Sequence, residues 1–215
     1  MCIFRIVDFL QKRHTPARNN KLASQSIHEI QTHAEPILHS LTITPDRHTI
    51  MKAQTENSAN ARLEQDFPAD MLARLQHTIT AGEAQHTGQL LLCIEASLPP
   101  SYVERHATPS ERARSLFGKY GVWDTEDNNG ALLYLLVDKH AVELVADRAL
   151  NRLVPQAQWS AIVQELCAAL RNHAYESGLQ TALQRISQLQ AQHFPARAEQ
   201  LRENKVPDAP VLLGK

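Results

Sequence analysis

Apolar residues follow no regular period over residues 1–65 and then fall into an ordered series of helical and strand patterns. Met71, Leu72, Leu75 and Ile79 stand at helical spacing behind Pro68, which suits a first turn, and Gly82 lies near the expected end. After Gly88, the unbroken run Leu90 to Ile94 predicts a strand buried on both faces, closed by Pro99 and Pro100. Thr108-Pro109-Ser110-Glu111 predicts a helix start, because Thr caps, Pro fits the first turn and Glu reaches back to the cap amide. Ala113, Leu116, Phe117 and Tyr120 continue that helix on one face, and Gly118 and Gly121 mark its end. Ala131 to Val137 reads as a central strand, Asp138-Lys139-His140 as a turn and Ala141 to Ala146 as the returning strand. Behind Pro155, the positions Trp159, Ile162, Val163, Leu166 and Leu170 predict a helix with a wide apolar face. A last helix is expected from Tyr175 through Leu179, Leu183, Ile186 and Leu189 to His193, with Pro195 beyond it.

This order predicts an α/β fold: a three-layer αβα sandwich around a small mixed sheet, in a single domain over residues 66–196. Residues 1–65 are expected to form a weakly structured extension, and residues 197–215 a tail that frays after Arg202. In the extension, Ile3, Phe4, Ile6, Val7, Phe9 and Leu10 could form a short amphipathic helix that docks on a membrane surface; the favoured alternative is a tail helix or a disordered leader. Its five histidines, His14, His28, His33, His39 and His48, are irregularly spaced and read as solvated, and Met51 is a candidate alternative start.

Composition narrows the function classes. Lys and Arg total 22 against 23 acids, so there is no electrostatic case for nucleic acid, which is held largely by cations on phosphates. Cys2, Cys93 and Cys167 lie far apart without a paired motif, arguing against a zinc site or disulfide framework. No apolar run approaches the roughly 18 residues that suggest a membrane span. Arg5 and Asp8 interrupt the only leader-like segment, so cytoplasmic residence is expected.

The candidate chemistry lies around the hairpin, in Trp123 to Arg148. The start of the first strand and the end of the second lie at one edge of the sheet, so Asp124 to Asn129 should approach Asp147 and Arg148. Asp124, Glu126, Asp127 and Asp147, with Asn128 and Asn129, make a set of hard oxygen ligands suited to calcium or magnesium. The candidate metal ligands are Asp124, Asp127, Asn129 and Asp147; the alternative is that these side chains cap and turn the loop. DTEDNNG is not an EF-hand, since Asn129 stands where Gly is needed and Leu135 where a bidentate Glu is needed. Arg112 and Arg148 are candidate phosphate or partner contacts, and Glu95 is a second-site acid or a solvated strand end. Arg105-His106 lacks the Gly of a histidine-phosphatase motif, and Cys93 lacks an Arg at phosphatase-loop spacing.

The strand GQLLLCIEASLP, the helix SERARSLFGKYGVWDT, the hairpin NNGALLYLLVDKHAVELVADR and QWSAIVQELCAALRNHAYESGLQTAL together resemble the TPM domain family. That family is named for a thylakoid-lumen phosphatase, a photosystem II-associated protein and a nematode receptor modulator. The match runs from about Phe67 to Pro195 and looks closest to the soluble bacterial branch. Other branches often carry Gly-Tyr-Gly-Leu where this chain has Asp147-Arg148-Ala149-Leu150. The resemblance implies an αβα sandwich, acid phosphatase activity as in the thylakoid member, calcium binding as in some bacterial members, and roles in complex repair or assembly. Two functions follow as expectations. One is a divalent-cation-binding scaffold or adaptor that meets a protein partner at the sheet edge; the other is a metal-assisted phosphatase using the same acids.

Overall fold

The computed structural model describes residues 2–6, 61, 63–197 and 204–214. Among the described residues, five strands form one mixed sheet: β1 (Cys2–Ile6), β2 (Leu90–Glu95), β3 (Ala131–Leu136), β4 (Ala141–Ala146) and β5 (Val211–Leu213), in the order β1-β4-β3-β2-β5. The β3–β4 hairpin is antiparallel, with Ala131 opposite Ala146 and Leu136 opposite Ala141. β2 and β3 run parallel, which requires a crossover; α2 (Pro100–Glu104) and α3 (Pro109–Lys119) supply it. The capping box at Thr108 is formed as expected: its Oγ1 accepts from Glu111 N at 3.2 Å, and Glu111 Oε2 accepts from Thr108 N at 2.7 Å.

Every residue of β2, β3 and β4 is buried, because both sheet faces are covered. Leu90, Leu92 and Ile94 of β2 face one way, with Leu133, Leu135, Val142 and Leu144. They pack on α1 (Ala69–Glu83), α5 (Gln156–Arg171) and α6 (Tyr175–His193) through Leu75, Ile79, Trp159, Leu166, Leu183 and Ile186. Leu91, Cys93, Leu132 and Tyr134 face the opposite way, against Ala113, Leu116 and Phe117 of α3. The three-layer αβα sandwich is therefore present.

Both edge strands come from outside the span 66–196. Cys2–Ile6, read from the sequence as part of a helix, pairs antiparallel with β4, placing Arg5 opposite Glu143. A run of Cys, Ile, Phe and Ile has strand propensity, and pairing satisfies the open backbone edge of β4. Residues expected to fray after Arg202 instead lie along the sheet: Val211–Leu213 pairs parallel with β2, and Ala96 N donates to Leu213 O at 3.1 Å. Val206, in the same segment, is buried in the α3-side core. The readings for residues 7–60, including the five histidines, the Met51 start and the membrane-surface contact, lie outside the described residues. No helix among the described residues is long and apolar enough to cross a membrane.

Candidate functional site at the loop before the hairpin

The loop between α3 and β3 folds back on itself through short backbone bonds. Gly121 is left-handed at φ 65°, Asp124 N donates to Gly121 O at 2.9 Å, and Asn128 N donates to Thr125 O at 3.2 Å. Gly130 is required here: a Cβ would lie 1.9 Å from the Val122 carbonyl oxygen. Asn128 takes φ 51°, a conformation that Asn tolerates better than most residues.

The hairpin brings this loop to Asp147, whose N donates to Gly130 O at 2.9 Å. Asp147 caps α4 (Arg148–Leu153), its Oδ1 accepting from Arg148 N at 2.6 Å. Its other oxygen, Oδ2, is buried and makes no hydrogen bond among the described residues. Asn129 is fully buried. Its Nδ2 donates to Thr87 Oγ1 at 2.9 Å and its backbone N to Thr125 Oγ1 at 3.0 Å, leaving Oδ1 unpartnered. Gln190 on α6 completes this end of the sheet, its Nε2 donating to Gln89 O at 3.1 Å and Asn129 O at 2.9 Å while its Oε1 accepts no bond. Among the described residues, three buried oxygens thus have no hydrogen-bond partner where β2, β3 and β4 meet the loop, an arrangement native interiors rarely leave.

The other acids turn elsewhere. Asp124 is exposed and pairs with Lys205 Nζ at 3.1 Å, while Asp127 accepts from Thr87 Oγ1 at 2.9 Å and lies 3.7 Å from Arg197. Among the described residues, no group of three or more His, Cys, Asp or Glu side chains is placed to hold a metal ion. The loop's tight turns disperse the carboxylates that the hairpin argument brings to one edge. Hard oxygen chemistry is kept in Asp147 and Asn129, the two candidate ligands with an unsatisfied buried oxygen.

The two candidate arginines differ. Arg148 is exposed and grips Asn128 Oδ1 through Nε at 2.9 Å and Nη2 at 2.6 Å, beside a shallow depression shared with Asn151 and Arg152. Arg112 is committed inside the protein: its Nε and Nη2 reach Glu95 at 2.9 and 2.6 Å, and Tyr134 Oη donates to Glu95 Oε2 at 2.6 Å. The Glu95 and Arg112 side chains are only 3% and 12% exposed, so Glu95 is not a solvated strand end and Arg112 is not open to a phosphate. Burial, followed by the nearby Glu95 charge, pushes the Cys93 thiol up to about 12, which removes it as a nucleophile at neutral pH. Sequence reasoning passed over Thr87 and Gln190. Gln190 was detectable, because it occupies the next apolar-face position after Leu183 and Ile186 on α6.

A TPM domain model matches residues 61–189, well over half the chain. The chain belongs to the TPM domain family. No curated protein matches it. Its fold is similar to the NMR structure of BA42 protein from the psychrophilic bacterium Bizionia argentinensis, with TM-score 0.57 and 18% identity over 67% of this chain and 93% of that one. The TPM model covers β2, the hairpin and most of α6, and it leaves β1 and β5 outside.

Proposed function

We propose that this TPM domain is a divalent-cation-binding scaffold or adaptor, serving the assembly or maintenance of a protein complex through the loop edge of its sheet. The observation that carries this reading is the pair of buried, unsatisfied oxygens Asn129 Oδ1 and Asp147 Oδ2 behind an acidic loop. Calcium or magnesium would be held by Asp147 and Asn129, with Asp127 and Asp124 contributing once Arg197 and Lys205 give way. The ion would supply charge neutralisation and a rigid loop, and exposed Arg148 and Trp123 would flank it as partner contacts. A metal-assisted phosphatase using the same acids is the competing reading, with the ion polarising a phosphoryl oxygen. The adaptor is favoured because Arg112, the second candidate phosphate contact, is held by Glu95, and the Cys93 thiol stays protonated.

The test is calorimetric titration of calcium and of magnesium, with phosphate-ester turnover followed in parallel, on the wild type and on Asp124→Asn with Asp147→Asn. Asn remains a good helix cap, so the second change removes charge without removing the α4 start. Saturable binding without turnover, weakened at least about tenfold in the double variant, supports the adaptor. Cation-dependent turnover lost in the variant selects the phosphatase. Absence of both leaves the acids as loop chemistry and sinks the proposal.

A further inference from the structure

At the opposite end of the sheet from the acidic loop, a cavity of about 310 Å³ opens beside the β3–β4 turn. Six-residue strands separate the two ends by roughly 20 Å at ~3.3 Å per residue, so whatever it holds is independent of the cation reading. Its floor is apolar: Leu135 and Val142 come from the hairpin and Leu170 from the end of α5. Phe67 and Tyr175 add an aromatic side, with ring centroids 5.5 Å apart and planes inclined at 55°. The volume equals about ten water molecules at ~30 Å³ each, room for a compound of one or two rings.

The sign of the opening is set by a single residue. Among the described residues that line it, Asp66 is the only Asp, Glu, Lys or Arg. Asp66 ends the helical turn at 63–66 that leads into Phe67, whose N donates to Leu63 O at 3.0 Å, so the chain itself holds the carboxylate next to the aromatic side. Asp66 is half-buried, and no side chain among the described residues bonds to its carboxylate. Asp70 and Glu176, on the adjoining first turns of α1 and α6, are both matched by Arg74, at 3.0 and 2.5 Å. Lys139 and Arg171 are next in sequence to lining residues, but neither lines the opening. Of the two lining histidines, His173 has its Nδ1 3.3 Å from Tyr175 Oη. Neutral imidazole and phenol groups accept as well as donate hydrogen bonds, so this fringe is compatible with a ligand that only donates.

An apolar floor, a tilted pair of rings and an unmatched carboxylate are the parts that recognise an organic ammonium ion. The floor and rings take up its apolar body, the electronegative ring faces attract its charge, and the carboxylate accepts a charge-assisted hydrogen bond from it. A bare metal ion does not fit the same place, because calcium or magnesium needs about six oxygen ligands and the lining offers one carboxylate. We propose that the cavity bounded by Asp66, Phe67 and Tyr175 binds a primary ammonium ion carried on a flat aromatic body.

The test uses the full chain, isotopically labelled, with tryptamine as the probe and indole and indole-3-carboxylate as neutral and anionic comparisons. The expected result is saturable amide shifts centred on residues 65–67, 135–142 and 170–175, with indole at least about fivefold weaker and the carboxylate at least about tenfold weaker. Asp66→Asn removes the charge and keeps the shape, so it should weaken tryptamine at least about fivefold, leave indole within about twofold and leave Tm within about 3 °C. Asp66→Lys should reverse the order, with the carboxylate binding more tightly than tryptamine. Tyr175→Leu keeps apolar bulk but removes a ring, and it should weaken tryptamine and indole together. The order of the three ligands on the wild type is decisive even where a variant proves unstable. The proposal fails if tryptamine gives no saturable shift below about 10 mM, weaker than ordinary site affinities. It fails equally if the shifts centre on the loop at 124–130, if indole or the carboxylate binds as tightly as tryptamine, or if a folded Asp66→Asn variant keeps wild-type affinity.

Discussion

Removing the Arg112 guanidinium would leave the Glu95 carboxylate at the end of β2 with a single donor, Tyr134 Oη, in a place where it is 3% exposed. Breaking one partner of a buried pair costs far more than the pair contributes, so Arg112→Met should lower the unfolding free energy by about 3–5 kcal/mol in urea titration. Adding Glu95→Gln removes the stranded charge and should recover a substantial part; equal losses in the single and double variants would show that stacking of the Arg112 guanidinium on the Tyr102 ring, 4.9 Å from its centroid, dominates instead. Beside this pair, Cys93 makes stability depend on alkaline pH. Its folded pKa is raised to about 12 from an ordinary 9.0, so the native state holds a proton that the unfolded chain releases. The contribution is complete below pH 9 and is lost as pH rises towards 12, at most about 1.4 kcal/mol per pH unit for one group. Burial raises the Tyr134 hydroxyl in the same direction. The fall in Tm across that window should therefore be shallower in Cys93→Ala without vanishing, and an unchanged slope would show that the thiol does not titrate there.

Elements that carry their own start and stop signals are those the sequence predicts well. The Thr108 capping box is one, and Thr108→Ala should cost about 1 kcal/mol in unfolding free energy, with loss of amide protection confined to the first turn of α3. The helix Tyr175–His193 and the turn at Asp138-Lys139-His140 were legible for the same reason, since period and turn chemistry agree locally. β1 and β5 were not legible. Their strand state is set by partners distant in sequence, Ala146 for Cys2 and Cys93 for Val211, and three residues of Val-Leu-Leu between Pro210 and Gly214 carry little periodic signal. The site divides similarly. The antiparallel hairpin was enough to place Asp147 against the loop, as the Asp147 N bond to Gly130 O records. The directions of Asp124 and Asp127 depended on Lys205, Thr87 and Arg197, which no local pattern links to the loop. Gln190 shows what a polar residue in an apolar stripe does here: one side-chain nitrogen holds carbonyls of two different segments. Gln190→Leu would leave the Asn129 carbonyl without that donor and should cost about 1–3 kcal/mol, while Gln89 O keeps the Ala131 N–H that donates to it at 2.9 Å; amide exchange at Ala131 should quicken as this end of the sheet loosens.

At the scale of the whole molecule, the segment 204–214 lies outside the TPM match and ties together several parts inside it. Val206 is 2% exposed against the α3-side core, and its N donates to Gln89 Oε1 at 3.2 Å. Thr80 Oγ1 on α1 donates to Asp208 Oδ2 at 2.6 Å, and Lys205 reaches Asp124. Val211–Leu213 then covers the open edge of β2, the strand whose far end carries Glu95. A chain ending at Glu203 would lose the burial of Val206, about 1.5–3 kcal/mol, and leave β2 with unpaired backbone groups along one side. Such an edge pairs readily with another copy, so the shortened chain should both melt lower and associate in a concentration-dependent way during sedimentation. Amide exchange at Ala96 should rise, because its partner Leu213 O is gone. The same truncation removes the Lys205 charge from Asp124. If the loop binds a cation, its affinity should rise severalfold at low salt and converge on the full-length value as salt screens the lost repulsion. Lys205→Ala separates the two effects: it should reproduce the affinity gain while leaving the β2 edge covered and the protein at its wild-type association state. A rise in association with Lys205→Ala alone would mean that the ion pair, rather than the strand, keeps the edge closed.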